Sequence, residues 1–414
     1  MRIAFLVVRF PVAAETPFLN QVTGLLDRGH DVRIFADERP GTSLEHPDVA
    51  KYRLEERSSW PVRLPKGVLA RAAAARRALA GRPAPERRLL LRALDPRLGR
   101  PARTLNLFAQ TLRYLPGERF DVIQGCFGPD GIRAEKLRRI GVLRGPIVTA
   151  VRGYDLSTYL RRRGPGAYAA LFRTGERFLP VCEALAARLG SVGCPAERIT
   201  VHHTGIQLRD HPFRPRALPR DRPLRLVTVG RLVEKKGVAF GLEVVASLAR
   251  EGRPVEYHVI GDGPLRPALE AQARACPPGS VRFHGALLPV GVRTALEGMD
   301  AMLAPHVTAA DGDEEGIPNV LKEAMALGLP VVTTRHSGIP ELVADGESGW
   351  LAAERDVAGL ARGVLALLDH PERWAPLTAA ARAAVERGFD IDRLNDRLVT
   401  IYETLAPWRP AETR

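Results

Sequence analysis

Leu224-Arg-Leu-Val-Thr-Val-Gly230-Arg-Leu-Val-Glu-Lys-Lys-Gly237 is an apolar run that breaks at glycine and enters a charged loop before an amphipathic stretch. That is a β-strand delivering the chain into the start of a helix. The pattern recurs downstream, with apolar runs at 255–261, 281–285, 301–306, 330–334 and 349–352 separated by helical periodicity. It also recurs upstream, at 2–8, 31–36, 121–125, 147–151, 178–182 and 199–203, with an amphipathic helix at 18–28 stopped by Gly29. Such alternation builds parallel sheets covered by helices on both faces. Between the two series, residues 209–223 carry four prolines and admit no regular element. The fold expected is α/β, with two Rossmann-like domains, 1–208 and 224–390, facing a central cleft across this linker.

Length and composition agree with that reading. The chain has 414 residues, enough for two or three domains, and 45% hydrophobic content, enough for sizeable cores. No apolar run reaches the roughly 18 to 20 residues of a membrane span. The first eight residues contain a short apolar run followed by Arg9 with no small-residue cleavage site, so a first strand is expected rather than a signal peptide. Four scattered cysteines (Cys126, Cys182, Cys194, Cys276) without metal-ligand spacing suit a reducing cytoplasm.

The net charge of +14 is unevenly placed. Residues 51–119 hold 17 Lys or Arg against 5 Asp or Glu, inside a proline-punctuated, helical-looking stretch (41–120) expected to be an insertion in the first domain. Such a segment suits an anionic membrane surface or a phosphate-rich substrate, or is simply a solvated face. With Tyr52, Trp60, Phe108 and Tyr114 as its only stacking candidates, it is not expected to bind nucleic acid.

Ligands of open α/β sheets sit beyond the carboxyl ends of strands, near helix N-termini. Arg231 and Lys236 fall there, placed to neutralise a diphosphate. Gly230, Gly261 and Gly263 fall on the same rim and allow close backbone approach. In Asp311-Gly-Asp-Glu-Glu315-Gly-Ile-Pro-Asn319-Val-Leu-Lys-Glu323-Ala-Met-Ala-Leu-Gly328, Pro318 suits a helix start and Gly328 a C-cap. The amides of Gly316, Ile317 and Asn319 would then face an anion. Glu315 and Glu323 would accept hydrogen bonds from sugar and ribose hydroxyls. Asp311-Gly312-Asp313 has the form of a metal-binding DxD but is not expected to hold a metal. His202 and His203, alternating along one strand, are expected to be structural.

Taken together, Val229–Gly237, Ile260-Gly-Asp-Gly-Pro264, Glu315-Gly-Ile-Pro with Glu323-Ala-Met-Ala, and His336-Ser-Gly-Ile-Pro-Glu-Leu-Val343 resemble the family 4 glycosyltransferases of the GT-B fold. More narrowly, they resemble the colanic acid and exopolysaccharide branch. Arg9-Phe-Pro11, Glu15-Thr16, Gln21, Gly29-His-Asp-Val32, Phe127-Gly-Pro-Asp-Gly131 and Gly153-Tyr-Asp-Leu-Ser157 agree in the first half, whereas 41–120 does not take part.

The resemblance implies a retaining sugar transfer from a nucleotide-sugar donor to a glycan or lipid-linked glycan, with no cofactor and no metal. It implies that Arg231 and Lys236 bind the donor diphosphate, that Glu315 holds the transferred sugar and that Glu323 holds the ribose. The same arrangement carries the expectation that residues 391–414 form a helix returning to the first domain. The enzyme would be cytoplasmic, peripheral on the inner face of the membrane through residues 51–119.

Two positions depart from the pattern. Arg152 stands where the family's histidine contacts the donor sugar, so Arg152 and Asp155 are candidate sugar or acceptor contacts. Ala14-Glu-Thr-Pro17 replaces a Ser-Glu-Thr-Phe-like turn on the acceptor side. Alternatives of the same fold are a nucleotide-sugar 2-epimerase, for which no acid/base pair is identifiable, and a non-catalytic nucleotide-sugar binder.

Overall fold

The structure, a computed structural model, describes residues 1–12, 16–40 and 46–405. Ala14 and Glu15 of the acceptor-side turn, and the ends of the segments 41–120 and 391–414, lie outside these residues.

The first domain contains β1 (Arg2–Arg9), β2 (Asp31–Glu38), β3 (Ser58–Ser59), β4 (Glu118–Arg119), β5 (Val122–Gly125), β6 (Leu143–Arg144), β7 (Ile147–Val151) and β8 (Arg177–Pro180). The second contains β9 (Leu224–Val229), β10 (Val255–Ile260), β11 (Val281–Gly285), β12 (Ala301–Ala304), β13 (Val331–Thr334) and β14 (Trp350–Ala352). The first main sheet runs β3-β2-β1-β5-β7-β8 and the second β11-β10-β9-β12-β13-β14, while β4 and β6 pair separately. All pairings between these strands are parallel, beside one isolated antiparallel bridge from Gly261 to Gly285. β5, β7, β12 and β13 are buried throughout, as expected for central strands covered on both faces.

Strand order reverses between β1 and β5 and between β9 and β12. A doubly wound sheet opens a crevice at such a switch point, because the flanking helices pack on opposite faces there. The two switch points face each other across the interdomain cleft.

One expectation needs correction. Residues 199–203 do not form a strand: Thr200 and His202 donate to the carbonyls of Phe178 and Pro180 at 2.9 Å each, with a lone bridge at Ile199. Pro180 has no N–H with which to return the second rung, so the ladder stops there. The basic stretch lies in the first domain between β2 and β5 and is largely helical among its described residues. It supplies the edge strand β3, paired to β2, and buries Leu90, Leu98, Leu107 and Phe108 in the first-domain core. Most of its arginines are exposed, but the Arg113 side chain is buried and donates to Ala36 O, and to Ser59 O at 3.2 Å.

The chain crosses between the domains twice, side by side. The amide of Ile206 donates to Phe389 O at 3.0 Å, and that of Ile391 donates to Ile206 O at 3.1 Å. The helix Ile391–Leu405 then packs on the first domain. Asn395 Nδ2 donates to Asn20 O at 3.1 Å, Arg28 pairs with Asp396 at 2.7 Å, and Leu398 and Tyr402 are fully buried. Gly24 makes this close approach possible, since a Cβ there would lie 1.9 Å from Asn395.

Candidate active site

The loop after β9 approaches its neighbours backbone to backbone. Gly237 has φ of 64° and a Cβ there would sit 1.7 Å from Pro305 O, so only glycine fits. Gly261 is held likewise, with φ of 139° and a notional Cβ 1.9 Å from Gly230 O. These contacts bring the ends of β9, β10 and β12 together around a cleft cavity of about 930 Å3.

Arg231, Lys236, Glu315, Gly230, Gly261, Gly316, Ile317, Pro318, Asn319, Glu323 and Arg152 all line this cavity. Gly263 does not. A Cβ there would lie 2.6 Å from Leu232 O, so this glycine serves loop packing and not ligand approach.

Lys236 Nζ lies 3.0 Å from Glu315 Oε1, and Lys235 Nζ lies 3.4 Å from the same oxygen and 3.0 Å from Asp313. Burial would raise the Glu315 pKa, but Lys236 and then Lys235 hold it well below the usual carboxylate range. Burial likewise opposes the charge on Lys235, yet Glu315 and Asp313 raise its pKa above the ordinary lysine value. Both groups are therefore ionised at neutral pH. Arg231 is exposed in the cleft, with no carboxylate partner among the described residues. Glu314, which also lines the cavity, is already paired with Arg188, so Arg231 is the cation of this floor left without a carboxylate partner among the described residues.

The helix Asn319–Leu327 starts at Pro318 and ends at Gly328, which adopts φ of 87°. The amides of Gly316 and Ile317 ahead of it make no hydrogen bond to the described residues. The Asn319 side-chain oxygen accepts from Thr204 Oγ1 at 3.1 Å and Lys322 Nζ at 2.9 Å, which leaves its backbone amide and side-chain Nδ2 as donors for a ligand. Glu323 lines the cavity, and burial raises its pKa against the pull of His211 and Lys322.

Several residues escaped sequence reasoning. Lys235 was passed over for its neighbour, although both side chains reach Glu315. His336, fully buried, accepts the Glu315 amide at Nε2 (3.0 Å) and meets Glu354 through Nδ1 at 2.6 Å. It thereby anchors the backbone of the glutamate loop. Its motif was visible, but nothing local said which backbone group it would meet.

His306, at the end of β12, lies near Lys236 and Glu315. Burial, reinforced by Lys236, pushes its pKa down to about 3, so it is neutral. Nδ1 meets Ala304 O at 3.1 Å, and Nε2 is buried with no partner among the described residues.

On the opposite wall, the Arg152 guanidinium lies 4.9 Å over the Phe127 ring. Asp155 is a correction to the sequence reading, because it is fully buried and does not line the cavity. Its carboxylate accepts the amides of Arg152 (2.6 Å) and Gly128 (3.1 Å), and burial pushes its pKa up to about 7. Its work is to shape the loop that carries Arg152.

The domains touch around the acidic loop. Arg188 pairs with Glu314, Arg161 lies 3.8 Å from Asp311, and Ser157 Oγ lies 3.4 Å from Asp313. Both carboxylates of Asp311-Gly-Asp313 thus have cationic neighbours. His203 pairs with Glu341 across the same interface at 3.0 Å, while His202 is buried.

The arrangement brings Arg231, Lys236 and two backbone amides together at a helix start, with carboxylates beside them. Such a site holds a diphosphate and orients hydroxyl groups. The comparisons agree with this reading. The family model described as "Glycosyl transferases group 1" matches residues 223–370, and "Glycosyltransferase Family 4" matches residues 14–210.

The chain is 37% identical to the colanic acid biosynthesis glycosyltransferase WcaL of Escherichia coli K12, over 98% of this chain and 100% of that protein. It is 35% identical to the amylovoran biosynthesis glycosyltransferase AmsK of Erwinia amylovora, with the same coverage. Among solved structures, Anabaena HepE with UDP and glucose matches with a TM-score of 0.70 at 18% identity, covering 98% of this chain and all of that one. Site geometry, fold and full-length similarity converge: the chain belongs to the family 4 glycosyltransferases and has the GT-B fold.

Proposed function

We propose that this enzyme transfers a hexosyl group from a nucleotide-sugar donor to a glycan or lipid-linked glycan in exopolysaccharide biosynthesis, with retention of anomeric configuration. The observation that carries this reading is the unpaired Arg231 beside the Lys236–Glu315 pair, at a helix start with unbonded amides. A leaving diphosphate gains charge as its bond to the sugar breaks, and fixed cations and amides aimed there stabilise that charge without reorganising.

On this reading Arg231 and Lys236 meet the diphosphate, with Lys235 holding Glu315 ionised. Glu315 accepts a hydroxyl of the transferred sugar, and Glu323 a ribose hydroxyl. Same-face attack by the acceptor as the diphosphate departs needs no protein nucleophile, so catalysis is positioning plus electrostatics. With side chains and amides meeting the leaving charge, the reaction is proposed to need no metal. WcaL and AmsK, similar along their whole length, are named for exopolysaccharide synthesis, and HepE was solved with UDP. The isomerase alternative has no supporting observation.

The test is to incubate the enzyme with UDP-, GDP- and ADP-sugars and lipid-linked acceptors, and to analyse the products by NMR. The expected product has the donor's anomeric configuration and forms only with acceptor. Inversion, or a donor changed in the absence of acceptor, would overturn the reading.

A further inference from the structure

A second cavity, about 790 Å3, lies wholly within the first domain, at the carboxyl ends of β1 and β2. Its charged lining is unbalanced: Arg71, Arg100, Arg133, Lys136 and Arg163 against Asp37 and Asp130. Both acids are already matched. Asp37 pairs with Arg133 and with Arg113 at 3.2 Å, and Asp130 pairs with Arg133 at 3.2 Å. Arg133 is itself buried, 8% exposed, and its Nε has no hydrogen-bond partner among the described residues. Arg71 spends its guanidinium on the carbonyls of Pro65 (3.1 Å) and Thr104 (2.9 Å).

What remains is Arg100, Lys136 and Arg163, whose side chains have no ion-pair or hydrogen-bond partner among the described residues. Lys136 is only part-exposed, and burial pushes its pKa down; the adjacent Glu135 has its oxygen 3.9 Å from Arg139. The half-buried Lys136 ammonium thus shares one cavity with the exposed Arg100 and Arg163, and an anion there would offset their excess positive charge.

The cavity shares walls with the reaction cleft. Pro129 lines this cavity and Phe127 the cleft, on two sides of one turn. Tyr159 lines this cavity and Tyr154 the cleft, with ring centroids 6.3 Å apart. One acceptor molecule can therefore reach both.

We propose that this cavity seats a phosphate or diphosphate group of the acceptor, separate from the donor diphosphate in the cleft. The proposal rests on the transferase reading of that cleft, and the test separates the two. Inorganic pyrophosphate and geranyl diphosphate are titrated calorimetrically into the full chain, as wild type, Lys136→Met/Arg163→Gln, Lys136→Arg and Arg231→Ala. Phosphatidylglycerol vesicles are run in parallel, and melting curves verify folding.

Wild type should bind two pyrophosphates. Lys136→Met/Arg163→Gln should weaken one site at least tenfold, Lys136→Arg should keep it, and Arg231→Ala should weaken only the other. Geranyl diphosphate sensitive to the same double substitution assigns a lipid-linked acceptor, and pyrophosphate binding alone assigns a soluble one. Should the double variant melt early, Lys136→Gln alone is read in the same way. Two intact pyrophosphate sites in the double variant would overturn the proposal, as would loss of vesicle binding only. Loss of the cavity site with no effect of Arg231→Ala would uphold it and sink the cleft assignment instead.

Discussion

Arg231 and Lys236 are expected to serve the same leaving group, yet their removal should affect the protein differently. Arg231 is exposed and has no carboxylate partner among the described residues, so Arg231→Ala strands no charge. Its stability should stay within about 0.5 kcal/mol of wild type, the usual range for an exposed position. Turnover should nonetheless fall by about two to three orders of magnitude, or about 2.7–4 kcal/mol, as when one preorganised donor to a developing anion is lost. Lys236→Ala should lose turnover to a similar degree and also cost stability. It removes the closer partner of Glu315, at 3.0 Å, from a pair whose side chains are only 13% and 21% exposed.

Stranding a buried charge fully costs about 3–5 kcal/mol. Lys235 remains 3.4 Å from the same oxygen, so the penalty should be smaller. A cost of about 1–2 kcal/mol corresponds to roughly 2–8 °C in the melting of a domain of this size. The assay is steady-state kinetics at saturating donor alongside thermal melts of both variants. Wild-type turnover in Arg231→Ala, or equal melting losses in the two variants, would refute the reasoning.

Four further outcomes are expected. Glu323→Ala should raise the donor KM by about tenfold, the cost of one hydrogen bond to a carboxylate, with little change in kcat; the reverse pattern in steady-state kinetics would remove it from the donor site. Activity should survive excess EDTA, and a loss restored by manganese would make Asp311 and Asp313 ligands. Residues 51–119 should bind phosphatidylglycerol vesicles over phosphatidylcholine in a salt-sensitive way, since Val68 and Leu69 stand 84% and 87% exposed on an Arg-rich helix; equal sedimentation with both vesicles would leave a solvated face. Burial lowers the Lys322 pKa from 10.5 to about 7, so the folded state binds its proton less tightly than the unfolded chain does. Stability should therefore rise with pH between those values, by up to about 1.4 kcal/mol per unit, and urea titrations of Lys322→Met should lack that rise.

Much of this molecule was legible because local rules carry it. Apolar runs alternating with amphipathic stretches dictate strands, helices and parallel pairing, and Pro318 and Gly328 mark the helix that faces the cleft. Proline-dense residues 209–223 separate the two series of strands. That Arg231, Lys236, Glu315 and Glu323 share one cavity was legible because ligands of such sheets collect where strands end, whereas the roles proposed for them rest on the family resemblance. What sequence could not supply were contacts between residues far apart in the chain.

Asp155 looked like a cleft residue by its motif, but packing turned its carboxylate onto two backbone amides. Gly263 looked like a phosphate glycine and proved to be a spacer against Leu232. His336 reaches the Glu315 amide from 21 residues away, and the Lys235 ammonium joins Glu315 across 80 positions. The strand at 199–203 failed on one missing N–H at Pro180. The basic segment was read as a helical insertion, and which of its apolar residues enter the first-domain core was decided by packing. Charge and periodicity are written along the chain, whereas counter-charge and burial depend on which elements meet, and only the folded arrangement determines that.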